Sequence, residues 1–146
     1  MALMDQPDGP GSSASPVFQA VQMMLSALLH GASAPERAGG AISLDVAHRH
    51  VLAHIDDPEL SPDELAGALH VSRRALYRLF EEHQLTPGRF IRRVRLDAIR
   101  EALAAPDNAQ RSILDIALDY GFTDSATFSR AFKAAFGVSP SEWRQR

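Results

Sequence analysis

The 146-residue sequence predicts an all-α protein in which two helix-turn-helix subdomains are joined by a long central helix. Three observations carry this. Residues Glu64 to Phe80 read ELAGALHVSRRALYRLF, and about fifty positions later Asp115 to Phe132 read DIALDYGFTDSATFSRAF, the same apolar skeleton with one residue added at the turn. Helix-start signals recur at short intervals from Ser43 onward, and no alternating strand pattern interrupts them. Between the two copies, residues 87–104 carry apolar side chains around well over half of a helical wheel, so this segment has to touch both copies.

Taken in order, residues 1–16 are rich in Gly, Ser, Pro and Asp and read as a disordered N-terminus. Residues 17–42 read as a short amphipathic helix plus linker. Val17, Phe18, Val21, Met24, Leu25, Leu28 and Leu29 recur at steps of three and four, and Gly, Ala and Pro between Gly31 and Ala41 end the pattern. Residues 43–146 form the double helix-turn-helix domain, with helices expected over 44–56, 62–69, 73–83, 87–104, 112–119, 125–136 and 140–145. The first of these is read as a support for the first helix-turn-helix. Ser61-Pro62-Asp63-Glu64 and Ser139-Pro140-Ser141-Glu142 have the pattern of a capping box with proline at the first helical position, and Thr86-Pro87 and Ser112 are further N-cap signals.

Within each copy two short helices cross over a tight turn, which leaves no room for a large side chain at the crossing. Ala66 and Ala117 occupy that place. Gly121 stands where the turn needs a positive φ, which glycine adopts without strain, and His70 holds the equivalent place in the first copy.

The absence of cysteine excludes disulfides, thiolate zinc sites and cysteine nucleophiles, including a cysteine-based DNA-repair activity. No apolar run reaches the length of a membrane span and the N-terminus lacks a leader pattern, so the expectation is a soluble, cytoplasmic protein with no membrane partner. Net charge is −3, against the usual sign for a nucleic-acid binder. The distribution matters more than the sum. From Arg73 to Arg100 eight arginines face Glu81, Glu82 and Asp97, a local excess of five positive charges.

Helical phase separates the faces of the two second helices. In the first, Leu76, Leu79 and Phe80 point inward and Arg74, Tyr77, Arg78 and Glu81 outward, with Arg73 at the N-terminal flank. In the second, Phe128, Ala131, Phe132 and Ala135 point inward and Ala126, Ser129, Arg130 and Lys133 outward. Arginine can make two hydrogen bonds to guanine in the major groove, so the first copy is the better equipped to read bases. Ser125, Ala126 and Thr127 offer only short polar or methyl contacts. On the central helix, Arg89, Arg93 and Arg100 fall on the polar arc. Arg89 and Arg93, with Lys133, are the candidates for phosphate contact. Arg92 and Arg95 fall inside the apolar arc and are read as partners of Asp115, Asp119 or Asp124, because a buried charge needs a counter-charge.

Over roughly residues 43–146 the chain resembles the AraC/XylS transcriptional regulators. The carriers are LAGALHVSRRALYRLF, the segment around Arg95-Leu96, and SILDIALDYGFTDSATFSRAFKAAFGVSPSEWR with its closing Gly137-Val138-Ser139-Pro140. The resemblance implies two helix-turn-helix subdomains that bind double-stranded promoter DNA and recruit RNA polymerase. It puts the base-facing positions on Arg73, Arg74, Tyr77 and Arg78 and on Ser125, Ala126, Thr127 and Arg130. His70 in place of a common glycine and Glu81-Glu82 in place of a frequently basic stretch depart from the pattern. It also leaves three readings of the helix over 17–29 open: a remnant of a preceding effector domain, a self-contained linker, or a homodimer contact through Phe18, Val21, Leu25 and Leu28.

Other constellations are weaker. His50 and His54 share a helix face but lack a third metal ligand and a catalytic glutamate. Ser72, His83 and Asp124 have the residue types of a hydrolase triad without a nucleophile elbow. The reading is therefore a sequence-specific DNA-binding regulator, an activator, with no enzymatic role and no cofactor. The alternative is a protein-interaction module of weak DNA affinity acting through a longer homologue or RNA polymerase.

Overall fold

In the computed structural model, which describes residues 43–146, every α-helix begins at a side-chain cap. The helices are α1 (Leu44–Ala53), α2 (Pro62–Ala68), α3 (Arg73–Glu81), α4 (Pro87–Ala104), α5 (Ile113–Asp119), α6 (Ser125–Phe136) and α7 (Pro140–Arg144), with a 3-10 turn at Pro106–Asn108. Their caps are Ser43, Ser61, Ser72, Thr86, Ser112, Asp124 and Ser139, each accepting from the amide three residues on. Such a cap contributes about 1 kcal/mol by satisfying a donor that the first turn leaves free. Of the two expected capping boxes, only Ser139–Glu142 closes in both directions; at Ser61 the serine half alone forms. No strand occurs among the described residues. None of their helices is long and apolar enough to cross a membrane. The readings for residues 1–42, including self-association through the 17–29 helix, lie outside the described residues.

The two copies fold alike. Ala66 and Ala117 are buried at the crossings, and in each turn an amide closes back on that alanine's carbonyl, Val71 at 3.0 Å and Phe122 at 3.2 Å. His70 takes φ 56° and Gly121 takes φ 79°. The turn geometry thus survives the loss of glycine in the first copy, at the cost of a side chain in the left-handed region, roughly 1–2 kcal/mol.

Two separate cores result. Leu44, Ala47, Val51, Leu65, Leu76 and Phe80 of α1–α3 meet Phe90, Ile91 and Val94 from the first half of α4. Ile116, Ala117, Phe122, Phe128 and Phe132 meet Leu96, Ile99, Ala102 and Leu103 from its second half. The wide apolar arc of α4 is two narrower arcs, one per half, turned relative to each other. A run of edge-to-face and tilted aromatic contacts passes through the second core from Phe122 through Phe128, Phe132 and Phe136 to Trp143, with successive ring centroids 4.6–6.2 Å apart.

Candidate nucleic-acid interface

Helix α3 is held from below by Leu76 and Phe80, both fully buried, and from its start by Ser72. This leaves Arg73, Arg74 and Arg78 exposed and Tyr77 half-buried, all on the side expected from the sequence. Arg73 is tethered: its Nη1 lies 3.2 Å from the Asp63 carboxylate on α2, and its guanidinium sits 5.4 Å above the Tyr77 ring. Exposed pairs of this kind contribute little to stability, so the Arg73 guanidinium can leave Asp63 at small cost. In the structure Asp63 holds it near the start of α3.

Helix α6 is anchored by Phe128 and Phe132. Ser125, Ala126, Arg130 and Lys133 are exposed and Thr127 is half-buried; Ser129, expected to face out, is half-buried as well. The cap here is a carboxylate. The Thr127 amide and hydroxyl hold the Asp124 carboxyl below its usual range, with Arg130 assisting. A fixed negative charge therefore sits at the start of α6 where α3 has a neutral serine, which makes α6 the less attractive of the two for phosphate.

The central helix requires a correction. Arg93, read as lying on the polar arc, is 7% exposed; its Nε bonds Asp97 at 2.9 Å and its guanidinium lies 4.9 Å from the Phe136 ring. Arg92, read as buried, is exposed. Arg95 is buried but pairs with none of Asp115, Asp119 or Asp124; it donates to the backbone carbonyl of Asp57. Asp119 instead pairs with Arg111 at 2.6 Å, and Asp124 caps α6. The cause is the turning of the buried arc. Near its N-terminus α4 faces the first core, so Arg89 and Arg92 share the open side; the positions equivalent to Arg92 further along the helix, Ile99 and Leu103, face the second core. A wheel drawn for the whole helix averages two environments and exchanges Arg92 with Arg93. Arg100 is half-buried, 5.1 Å from the Phe136 ring and 5.8 Å from that of Trp143.

Between the halves lies a cleft of 260 Å³, with Pro62 of α2 and Gly88, Arg92 and Arg95 of α4 on one side and Thr123 and Thr127 on the other. Arg92 is thus an exposed cation on the cleft that Thr123 and Thr127 line, and Arg89, also exposed, lies on the same side of α4. Burial lowers the Arg95 guanidinium from its usual value, and Asp57 works against that shift. The weaker constellations have local duties. The rings of His50 and His54 stack at 4.2 Å, and His54 Nδ1 lies 3.0 Å from the His50 carbonyl. No group of three or more metal-ligating side chains occurs among the described residues. Ser72 caps α3 and Asp124 caps α6.

A family profile described as a helix-turn-helix domain matches residues 65–146, more than half of the chain. The XylDLEGF operon transcriptional activator of Pseudomonas putida is 43% identical over 84 residues, which are 57% of this chain and 26% of that protein. The chain belongs to the AraC/XylS family of DNA-binding transcriptional regulators. Another relative, the transcriptional activator NphR of a Rhodococcus species, is 30% identical over 147 residues, covering 99% of this chain and 43% of NphR. The chain therefore spans between about a quarter and less than half of these relatives. Among solved AraC-type structures, a transcriptional regulator from Chromobacterium violaceum with this DNA-binding domain superposes with a TM-score of 0.58 at 28% identity, over 70% of this chain and 92% of that one. The C-terminal domain of AraT, a response regulator of Geobacillus stearothermophilus, shares the fold with a TM-score of 0.61 at 23% identity, over 92% and 88%.

Proposed function

We propose that this AraC/XylS-family chain binds double-stranded promoter DNA with α3 and α6 in successive major-groove segments and activates transcription there. The observation that carries the reading is the duplicated presentation: both recognition helices are pinned by phenylalanines beneath and left open above, on one eighteen-residue rod. At 1.5 Å per residue that rod is about 27 Å long, close to the roughly 34 Å between neighbouring major-groove faces. Arg73, Arg74, Tyr77 and Arg78 read bases in the first segment, and Ser125, Ala126, Thr127 and Arg130 make shorter contacts in the second. Arg89 and Lys133 contact phosphates, and Arg92 takes the place that the sequence assigned to Arg93. The first copy specifies and the second positions. Activation is supported by the names of the relatives, which are transcriptional activators; contact with RNA polymerase follows from that reading.

The test is selection of bound DNA from a random pool, then anisotropy titration of the selected and a scrambled duplex at two salt concentrations. The selected duplex should bind at least about 10³-fold more tightly, with affinity falling steeply as salt rises. Equal, weak binding to both would favour the interaction-module alternative.

A further inference from the structure

The two cores are complete in themselves, and no helix of α1–α3 packs extensively on any of α5–α7. The halves are joined through α4. At its middle stands Arg95, 9% exposed on the wall of the cleft. Its Nη2 donates to the Asp57 carbonyl, in the loop between α1 and α2. The same guanidinium lies against Gly121, in the turn between α5 and α6, where a Cβ would come within 2.7 Å of Cζ, 2.8 Å of Nη2 and 2.9 Å of Nε. One planar group meets backbone from both halves.

We propose that Arg95 is a positioning residue that fixes the pitch between the two recognition helices and thereby the half-site spacing that the protein accepts. The spacing part rests on the DNA-binding reading above; the pitch part does not.

The bond to the Asp57 carbonyl stabilises the fold, but stability alone does not account for an arginine here. Its Nε finds no acceptor among the described residues, so part of the group is buried without compensation. An apolar side chain of the same length would fill the volume without that cost, though it would give up the bond to the Asp57 carbonyl. What an apolar chain lacks is direction. Packing of each half on α4 resists separation but tolerates small rotations, whereas a rigid fork bonded to one backbone and wedged against another does not. The required precision is fine: one added base pair moves the second half-site by about 3.4 Å and rotates it by roughly 35°.

The chain has no cysteine, so paired labels are placed cleanly. Glu82→Cys and Ala134→Cys, both at exposed positions at the end of α3 and on α6, are spin-labelled in the full chain, and the distance distribution is measured without DNA in the Arg95 background and in Arg95→Met. Arg95 should give a narrow distribution and Arg95→Met one at least about twice as wide, with both proteins still cooperatively folded and Arg95→Met the less stable of the two because it lacks the bond to the Asp57 carbonyl. On selected duplexes lengthened or shortened by one base pair, the parent should lose about tenfold or more in affinity, and Arg95→Met less than about threefold. Equal widths in the two proteins overturn the proposal whatever the DNA result. A widened distribution with no DNA preference in either protein retains Arg95 as the pitch-setting residue and removes the DNA-binding reading. Arg95→Lys, which keeps the charge without the fork, should behave like Arg95→Met; if neither variant folds, Arg95 is a stability element and the proposal fails.

Discussion

Gly121→Ala tests the packing at the junction of the two halves, and Gly137→Ala supplies its control. Both glycines have φ near 80°, 79° and 78°, so both alanines carry the same left-handed penalty, about 1–2 kcal/mol. Their surroundings differ. A Cβ on Gly137 meets nothing within 4 Å, whereas one on Gly121 comes within 3 Å of three guanidinium atoms of Arg95. The guanidinium is the far end of a flexible side chain, so it can withdraw, but withdrawal breaks its bond to the Asp57 carbonyl. A hydrogen bond from a charged donor is worth about 1.5–3 kcal/mol. Gly121→Ala should therefore cost about 2.5–5 kcal/mol in urea unfolding and Gly137→Ala about 1–2 kcal/mol. In a double-mutant cycle with Arg95→Met, the extra cost of Gly121→Ala should shrink by about 1 kcal/mol or more, because the obstructing group is gone. Equal costs for the two glycines, or strict additivity in the cycle, would refute the reasoning.

Other expectations follow from the same geometry. Arg74→Ala and Arg78→Ala should each relax base preference by about 1–3 kcal/mol at a few positions, while Arg89→Ala and Arg92→Ala weaken all duplexes alike and flatten the salt dependence; Arg93→Ala should instead lower stability, and equal losses across specific and random DNA for all of them would contradict the assignment. Asp124→Asn should keep the cap but remove a pH dependence. The folded carboxyl lies below its unfolded value, so its stabilisation is present above about pH 4 and is lost as pH falls through the lowered value. Acid unfolding of the parent and variant should diverge only in that window, and parallel curves would count against the cap. Phe80→Ala and Phe132→Ala, each fully buried in a different core, should each cost about 3–5 kcal/mol by thermal or chemical denaturation; a loss under 1 kcal/mol in either would mean that half is not packed as described.

The sequence by itself determined the helices, their order and the duplication. These rest on local chemistry: a serine, threonine or aspartate bonded three residues ahead, an apolar period of three and four, an alanine at each crossing. Helix α1 shows where such signals weaken. Its apolar period continues toward residue 56, yet the helix ends at Ala53, where the His54 amide closes on the His50 and Val51 carbonyls and its own backbone turns out of the helix. The faces of α3 and α6 were legible for the same reason, since each lies on one core and has one buried side. Tertiary structure decided what α4 does with its arginines. That helix serves two cores turned relative to each other, so no single period describes it, and Arg93 goes inside while Arg92 comes out. It also decided the partners of Arg73 and Arg95, Asp63 and the Asp57 carbonyl, 10 and 38 residues away. A backbone acceptor leaves no mark in residue type, and only the folded chain brings it beside the charge.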